Sequence, residues 1–241
     1  MLFPYQVDVP MARWPVVNFL LIFVIVCVSA SAIMNGYDGV DPYILDGWKL
    51  RGHFGHLFIH AGFLHLFGNM IFLWVSGNAV CAKIDNLPYL VAFFGLGLLA
   101  AATHNVFDGE YAVGASGAIN GVVGMYLLLY PLNDVRCVWF IGVGGGQFSC
   151  SSIYMILLWL AFDIFGAALG GEGVAYYAHL GGFAAGAGVM AAALGAGWIE
   201  MTPVERSLPQ VLEERRAGRT GATARRVSPG VVRGVPVRRT R

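Results

Sequence analysis

The sequence predicts an all-α membrane protein built as a bundle of six transmembrane helices. Three observations carry that expectation. The 241 residues are 57% hydrophobic and only 12% charged, where a soluble domain is nearer a quarter charged. Mean hydropathy is +0.66. The 33 glycines suit helices that approach closely in lipid.

Six apolar segments approach membrane length: Val16–Ile33, Leu57–Val80, Tyr89–Val106, Ser116–Pro131, Ser152–Ala168 and Ala175–Trp198. The first ends in Val28-Ser29-Ala30-Ser31-Ala32, a small-residue string like a signal-peptidase site. Its apolar run is longer than a signal core and only Arg13 flanks it with positive charge, so it reads as an uncleaved span. The connection Met34–Gly55 is long and carries Asp38, Asp41 and Asp46, whereas the others read as short. The fourth segment covers about 16 residues, roughly 24 Å against a hydrocarbon core of roughly 30 Å. Its glycine-rich start is therefore expected below the outer surface, where irregular backbone must line protein or a wet cavity.

The domain organisation follows: a cytoplasmic segment over residues 1–15, a membrane domain over 16–198, and a basic tail over 199–241. The tail holds ten Arg against four Glu, and its Arg-, Gly- and Pro-rich composition predicts no fixed structure. With the N-terminus inside, thirteen basic residues fall on the inner side and only Lys49 and Arg51 on the outer, which places both termini in the cytoplasm. The tail reads as this positive-inside signal rather than as a lipid-binding element, and no nucleic acid is expected as a partner. Cys27, Cys81, Cys137 and Cys150 form no CxxC pair and are expected as free thiols.

Two polar sites interrupt the apolar sequence: Gly114-Ala115-Ser116-Gly117 opens the fourth segment and Ala178-His179-Leu180-Gly181-Gly182 opens the sixth. His65 and Asn69 lie early in the second, four apart and so on one helical face. The second, fourth and sixth spans run in the same direction, so these four residues converge at one depth. A serine and a histidine are costly as filler in lipid but are the parts that nucleophilic hydrolysis requires. Ser116 is the expected nucleophile and His179 its base, then the acid for the leaving amine. Asn69, His65 and the Ser116 N–H are expected to bind the oxyanion. Gly114 and Gly117 allow close backbone approach. Gly182 and Gly186 form a small-residue stripe that would draw the sixth span onto the fourth.

The ordered set resembles the rhomboid family of intramembrane serine proteases. The matching strings are His65-Leu66-Phe67-Gly68-Asn69, Gly114-Ala115-Ser116-Gly117, and His179-Leu180-Gly181-Gly182 with Gly186. His56 and His60 match the family's histidine-rich entry to the second span. The resemblance covers about Val16 to Trp198 and implies the minimal six-helix form. It implies a Ser116–His179 dyad without an acidic third member, and transmembrane proteins as substrates entering past the second and fifth spans. A mobile cover is implied over Ala167–Val174, with Trp159 and Phe162 as bulky residues beside it. Where some members stack an aromatic on the histidine, this chain has Asn120, so a hydrogen bond or packing must orient His179 instead. The first external loop carries Trp48-Lys49-Leu50-Arg51 in place of a Trp-Arg pair nearer the histidines.

Other readings fit less well. His56 and His60 share metal-ligand spacing, but there is no HExxH motif and no carboxylate nearby in the helix, so neither metal nor cofactor is expected. His53, His56 and His60 are expected to tie the first loop onto the second span. Asp163 is expected to cap a loop or reach the interface rather than orient His179. A transporter is disfavoured by the absence of an evident repeat and by few intramembrane charges. An inactive client-binding relative would have lost Ser116 or His179. The expected residence is a bacterial inner membrane; nothing in the sequence sets an oligomeric state.

Overall fold

A computed structural model describes residues 2–142 and 144–226. The helices are α1 (Val16–Met34), α2 (Leu50–Gly55), α3 (Phe63–Phe72), α4 (Asn78–Ile84), α5 (Asn86–Phe107), α6 (Ser116–Leu129), α7 (Ser152–Leu169), α8 (Tyr176–Gly195) and α9 (Leu208–Arg226). A π-helical turn, Leu73–Gly77, joins α3 to α4 into one continuous span. Among the described residues, five helices are long and apolar enough to cross a membrane: α1, α3–α4, α5, α7 and α8. α6 is apolar but has only 14 residues, about 21 Å. It is buried on all sides, so its neighbours rather than lipid set its length.

The protein is thus mostly helical, as the sequence predicts, with three departures. Residues 134–151 are not a short connection. They form a hairpin of β2 (Asp134–Ile141) and β3 (Gly144–Ser151), and β1 (Leu2–Val7) pairs antiparallel to β2 to complete a three-stranded sheet. The second span starts at Phe63 rather than Leu57, because α2 and a 3₁₀ turn over His56–Phe58 precede it. The basic tail is helical over Leu208–Arg226, where the run of good helix formers Leu212-Glu213-Glu214-Arg215-Arg216 offsets its polarity. Residues 227–241 of that tail lie outside the described residues.

α6 and α8 meet backbone to backbone. A methyl group added at Gly182 would run into the Gly117 carbonyl oxygen, one at Gly186 into that of Gly121, and one at Gly124 into that of Phe183. Lipid offers no hydrophobic drive for helices to associate, so close van der Waals contact of this kind holds them together.

Polar pins supplement it. The Asn18 amide in α1 donates to the Leu73 carbonyl (2.9 Å) and to Asn78 Oδ1 (2.8 Å), and accepts from the Tyr89 hydroxyl (2.6 Å). Asn18 thereby ties α1 to the π turn at Leu73 and to the start of α4 at Asn78. At the sheet end, Lys83 Nζ and Glu205 Oε2 pair at 2.5 Å with both side chains buried. Tyr130 and the Thr202 N–H also donate to Glu205. Burial alone would raise the Glu205 carboxyl, but the Lys83 and Thr202 hydrogen bonds hold it below the usual glutamate range.

The first turn of α7 is fastened tightly. Ser152 donates from backbone and hydroxyl to the Asn133 carbonyl, its Oγ lies 2.9 Å from the Tyr126 hydroxyl, and the Ile153 N–H bonds the Pro131 carbonyl. Only Ser152, Met155 and Ile156 of this helix are buried.

Gly186→Leu is expected to force α6 and α8 apart and destabilise the fold by about 1–3 kcal/mol or more, read as a lowered melting temperature in detergent. Glu205→Ala leaves Lys83 buried without its partner, at a cost of about 3–5 kcal/mol. The pair's contribution is intact above the usual glutamate range and is lost as pH falls through the depressed Glu205 value. Denaturation of wild type and variant across acidic pH should therefore show the gap narrowing.

Candidate active site

Ser116 is the first residue of α6 and His179 lies in the first turn of α8. The glycine contact between these helices fixes the two residues at the same end of the bundle. His65 and Asn69 reach it from α3, and Asp163 from the far half of α7. All five line one cavity of about 730 Å³, together with Asn120, Phe72, Trp159 and Phe162. Ser116 and His179 are half-buried. Among the described residues no hydrogen bond joins their side chains; such bonds are commonly long in a free state and tighten around a substrate.

The backbone leading to Ser116 is shaped by Gly114, whose φ of +116° suits glycine alone. The His65 ring lies on it: a Cβ there would stand 2.8 Å from His65 Cε1. His65 Nδ1 accepts a long bond (3.4 Å) from the Ala61 N–H, which leaves the proton on Nε2, the ring edge facing Gly114. Asn69 Nδ2 donates to the His65 carbonyl (2.9 Å) while its side chain lines the cavity. Gly117 lies among the α6–α8 contacts described above.

Two further histidines hold this segment. Gly114 N–H donates to the His56 carbonyl (2.8 Å), and His56 Nδ1 lies 3.2 Å from the Gly114 carbonyl. Ser29 Oγ donates its only proton to the Phe58 carbonyl, so the 2.8 Å contact between His60 Nδ1 and Ser29 Oγ requires a proton on Nδ1. His60 Nε2 then accepts from the Ala115 N–H (3.4 Å). His60 is thereby held as one neutral tautomer. Burial pushes it down to about 3, with the neighbouring His65 and His56 adding to the shift, and burial likewise brings His56 down to about 4. These histidines therefore do not tie the first loop to the second span. They connect it to α1 and to the backbone ahead of Ser116, because the loop turns back before α3 begins. His53 bonds the Lys49 carbonyl within its own short helix and stacks on Trp48.

Asp163 also departs from expectation. Its Oδ1 lies 2.9 Å from His179 Nδ1, with both side chains about 15% exposed (14% and 15%), so it meets the histidine that it was expected not to orient. Asn120 donates to the Ser116 carbonyl (3.0 Å). Trp159 packs edge-on against Phe72 with ring centroids 4.2 Å apart, so these two aromatics bridge α7 and α3 along the cavity wall.

A helical membrane protein with a serine and a histidine at two adjoining helix starts is the class that this fold and site define. A Rhomboid domain model matches residues 47–196, and the chain belongs to the Rhomboid family. It is similar to the rhomboid protease GlpG of Klebsiella pneumoniae, at 29% identity over 147 residues, 61% of this chain and 49% of the relative. It is also similar to GlpG of Enterobacter sp. (26% over 179 residues; 70% and 60%) and of Salmonella choleraesuis (26% over 150 residues; 61% and 49%). The chain spans about half the length of most of these relatives. Family and apolar helices together make it an integral, multi-pass membrane protein.

His60→Leu is expected to orphan the buried Ala115 N–H, at about 1–3 kcal/mol, and to loosen the segment ahead of Ser116. Hydrogen exchange in micelles should rise across residues 112–116 while α5 stays protected.

Proposed function

We propose that the chain is an intramembrane serine endopeptidase that cuts transmembrane proteins in or near their spans. The observation that carries this reading is that Ser116 and His179 open onto one cavity from two helices locked together by glycine. Ser116 Oγ attacks the scissile carbonyl as its proton passes to His179 Nε2, and the carbonyl π pair moves onto oxygen. His65 Nε2–H, Asn69 Nδ2–H and the Ser116 N–H donate to that oxyanion. Gly114 and Gly117 are buried, under the His65 ring and against Ala100 and Ala178 respectively, so they shape the backbone around Ser116 and do not face the substrate. The tetrahedral intermediate collapses as the C–N bond breaks and His179 Nε2–H protonates the leaving amine. Water, activated by the same nitrogen, then releases the acyl group from Ser116.

The substrate is a membrane-protein helix that unwinds at the cavity, with lipid as the surrounding partner. Lys83 and Arg136 lie at the end of the bundle opposite Ser116. Together with the tail arginines they support cytoplasmic termini in a bacterial inner membrane.

Purified protein in detergent should cut a single-span model substrate, whereas Ser116→Ala and His179→Ala should each lose at least about 10³-fold of that rate. A serine-reactive fluorophosphonate should label wild type and not Ser116→Ala. Equal cutting by the variants would place the activity elsewhere.

A further inference from the structure

A carboxylate at this depth is costly unless paired. The Asp163 side chain is 15% exposed, and among the described residues its hydrogen-bond partner is His179, through Nδ1 at 2.9 Å. A carboxylate accepts and does not donate, so the proton of this bond belongs to His179 Nδ1. The lone pair is then left on Nε2, the nitrogen that must receive the Ser116 proton. Among the described residues no other cavity side chain bonds His179 Nδ1: Asn120 donates to the Ser116 carbonyl, His65 Nδ1 accepts from the Ala61 N–H, and Asn69 donates to the His65 carbonyl.

We propose that Asp163 is a positioning residue that fixes the tautomer and ring orientation of His179, so that the site works as a Ser116–His179–Asp163 relay. This inference rests on the proteolytic reading of Ser116 and His179. Asp163 takes up no proton at any step. It stabilises the imidazolium that forms while Ser116 attacks, and keeps Nε2 aimed at Oγ before that. Asp163 belongs to α7 and His179 to α8, so the base is set only while the far half of α7 lies against α8.

The test uses the full chain in detergent, with Asp163→Ala, Asp163→Glu and the near-isosteric Asp163→Asn. Asp163→Ala is expected to lose at least about tenfold in kcat, up to the roughly 10⁴-fold cost of replacing a triad aspartate by its amide, with KM nearly unchanged. Fluorophosphonate labelling of Ser116 should slow in parallel, and Asp163→Glu should recover part of both. Histidine ¹⁵N spectra should show His179 as a single Nδ1–H tautomer in wild type and as a mixture in Asp163→Ala. Should the alanine variant not fold, Asp163→Asn with an unshifted melting temperature and slowed labelling carries the same support. Wild-type labelling and an unaltered His179 spectrum in Asp163→Asn or Asp163→Ala would overturn the proposal, as would a loss confined to KM. If wild type neither cuts nor labels, the proteolytic reading fails, and the ¹⁵N spectra alone decide whether Asp163 sets the tautomer.

Discussion

The contact of α6 with α8 through bare backbone is the constraint on which the rest of the structure depends. Gly117, Gly121 and Gly124 on one helix face Gly182, Phe183 and Gly186 on the other, and added methyl groups would strike carbonyl oxygens. In lipid the association must come from contact itself, and contact is densest where side chains are absent. Ser116 and His179 sit one turn or less before these glycines in their helices. Their separation is therefore inherited from backbone packing and does not depend on flexible side chains. The same closeness explains why α6 can be so short. It lies inside the bundle, and the longer α3–α4, α5 and α8 present the lipid-facing surface around it.

Around this axis the polar groups are arranged so that few are wasted. Asn18 donates both of its amide hydrogens, to the Leu73 carbonyl and to Asn78, and its oxygen accepts from Tyr89. The histidines of the first loop serve as neutral connectors, with Nδ1 of His60 to α1 and Nε2 to the backbone before Ser116. Neutral rings suit this place, since a charged imidazolium would need a partner that burial does not supply. The buried Lys83–Glu205 pair closes the opposite end, joining the chain beyond α8 to the end of α4.

Much of this was legible in the sequence, and the reasons for the rest are physical. Hydropathy reports span positions well, because each span must satisfy the same thickness. Local strings such as Gly114-Ala115-Ser116-Gly117 report the site, because their conformational demands are local: φ of +116° at Gly114 needs glycine. The glycine stripe of α8 was readable by its spacing. What the sequence hid were pairings set by how distant elements cross. Asp163 and His179 are 16 residues apart on different helices, and no periodicity says which face of α7 meets α8. Glu205 reads in the sequence as one more tail acid, because its partner Lys83 is 122 residues away. The sheet was missed for a related reason. Asp134–Ile141 alternates only weakly in burial, and its partner β1 lies at the far end of the chain.

The uneven attachment of α7 makes it a lever. Its first turn is pinned by four hydrogen bonds to residues 126–133, while beyond Ile156 it has no buried residue and ends at Gly170 in the left-handed conformation. An 18-residue helix is about 27 Å long, so a tilt of about 10° about that fulcrum displaces its free end by roughly 5 Å. The displacement is almost nil at the sheet and reaches about 3 Å at Asp163, on the cavity wall. Such a tilt would move the cavity wall that α7 supplies and leave in place the paired glycines that hold Ser116 and His179.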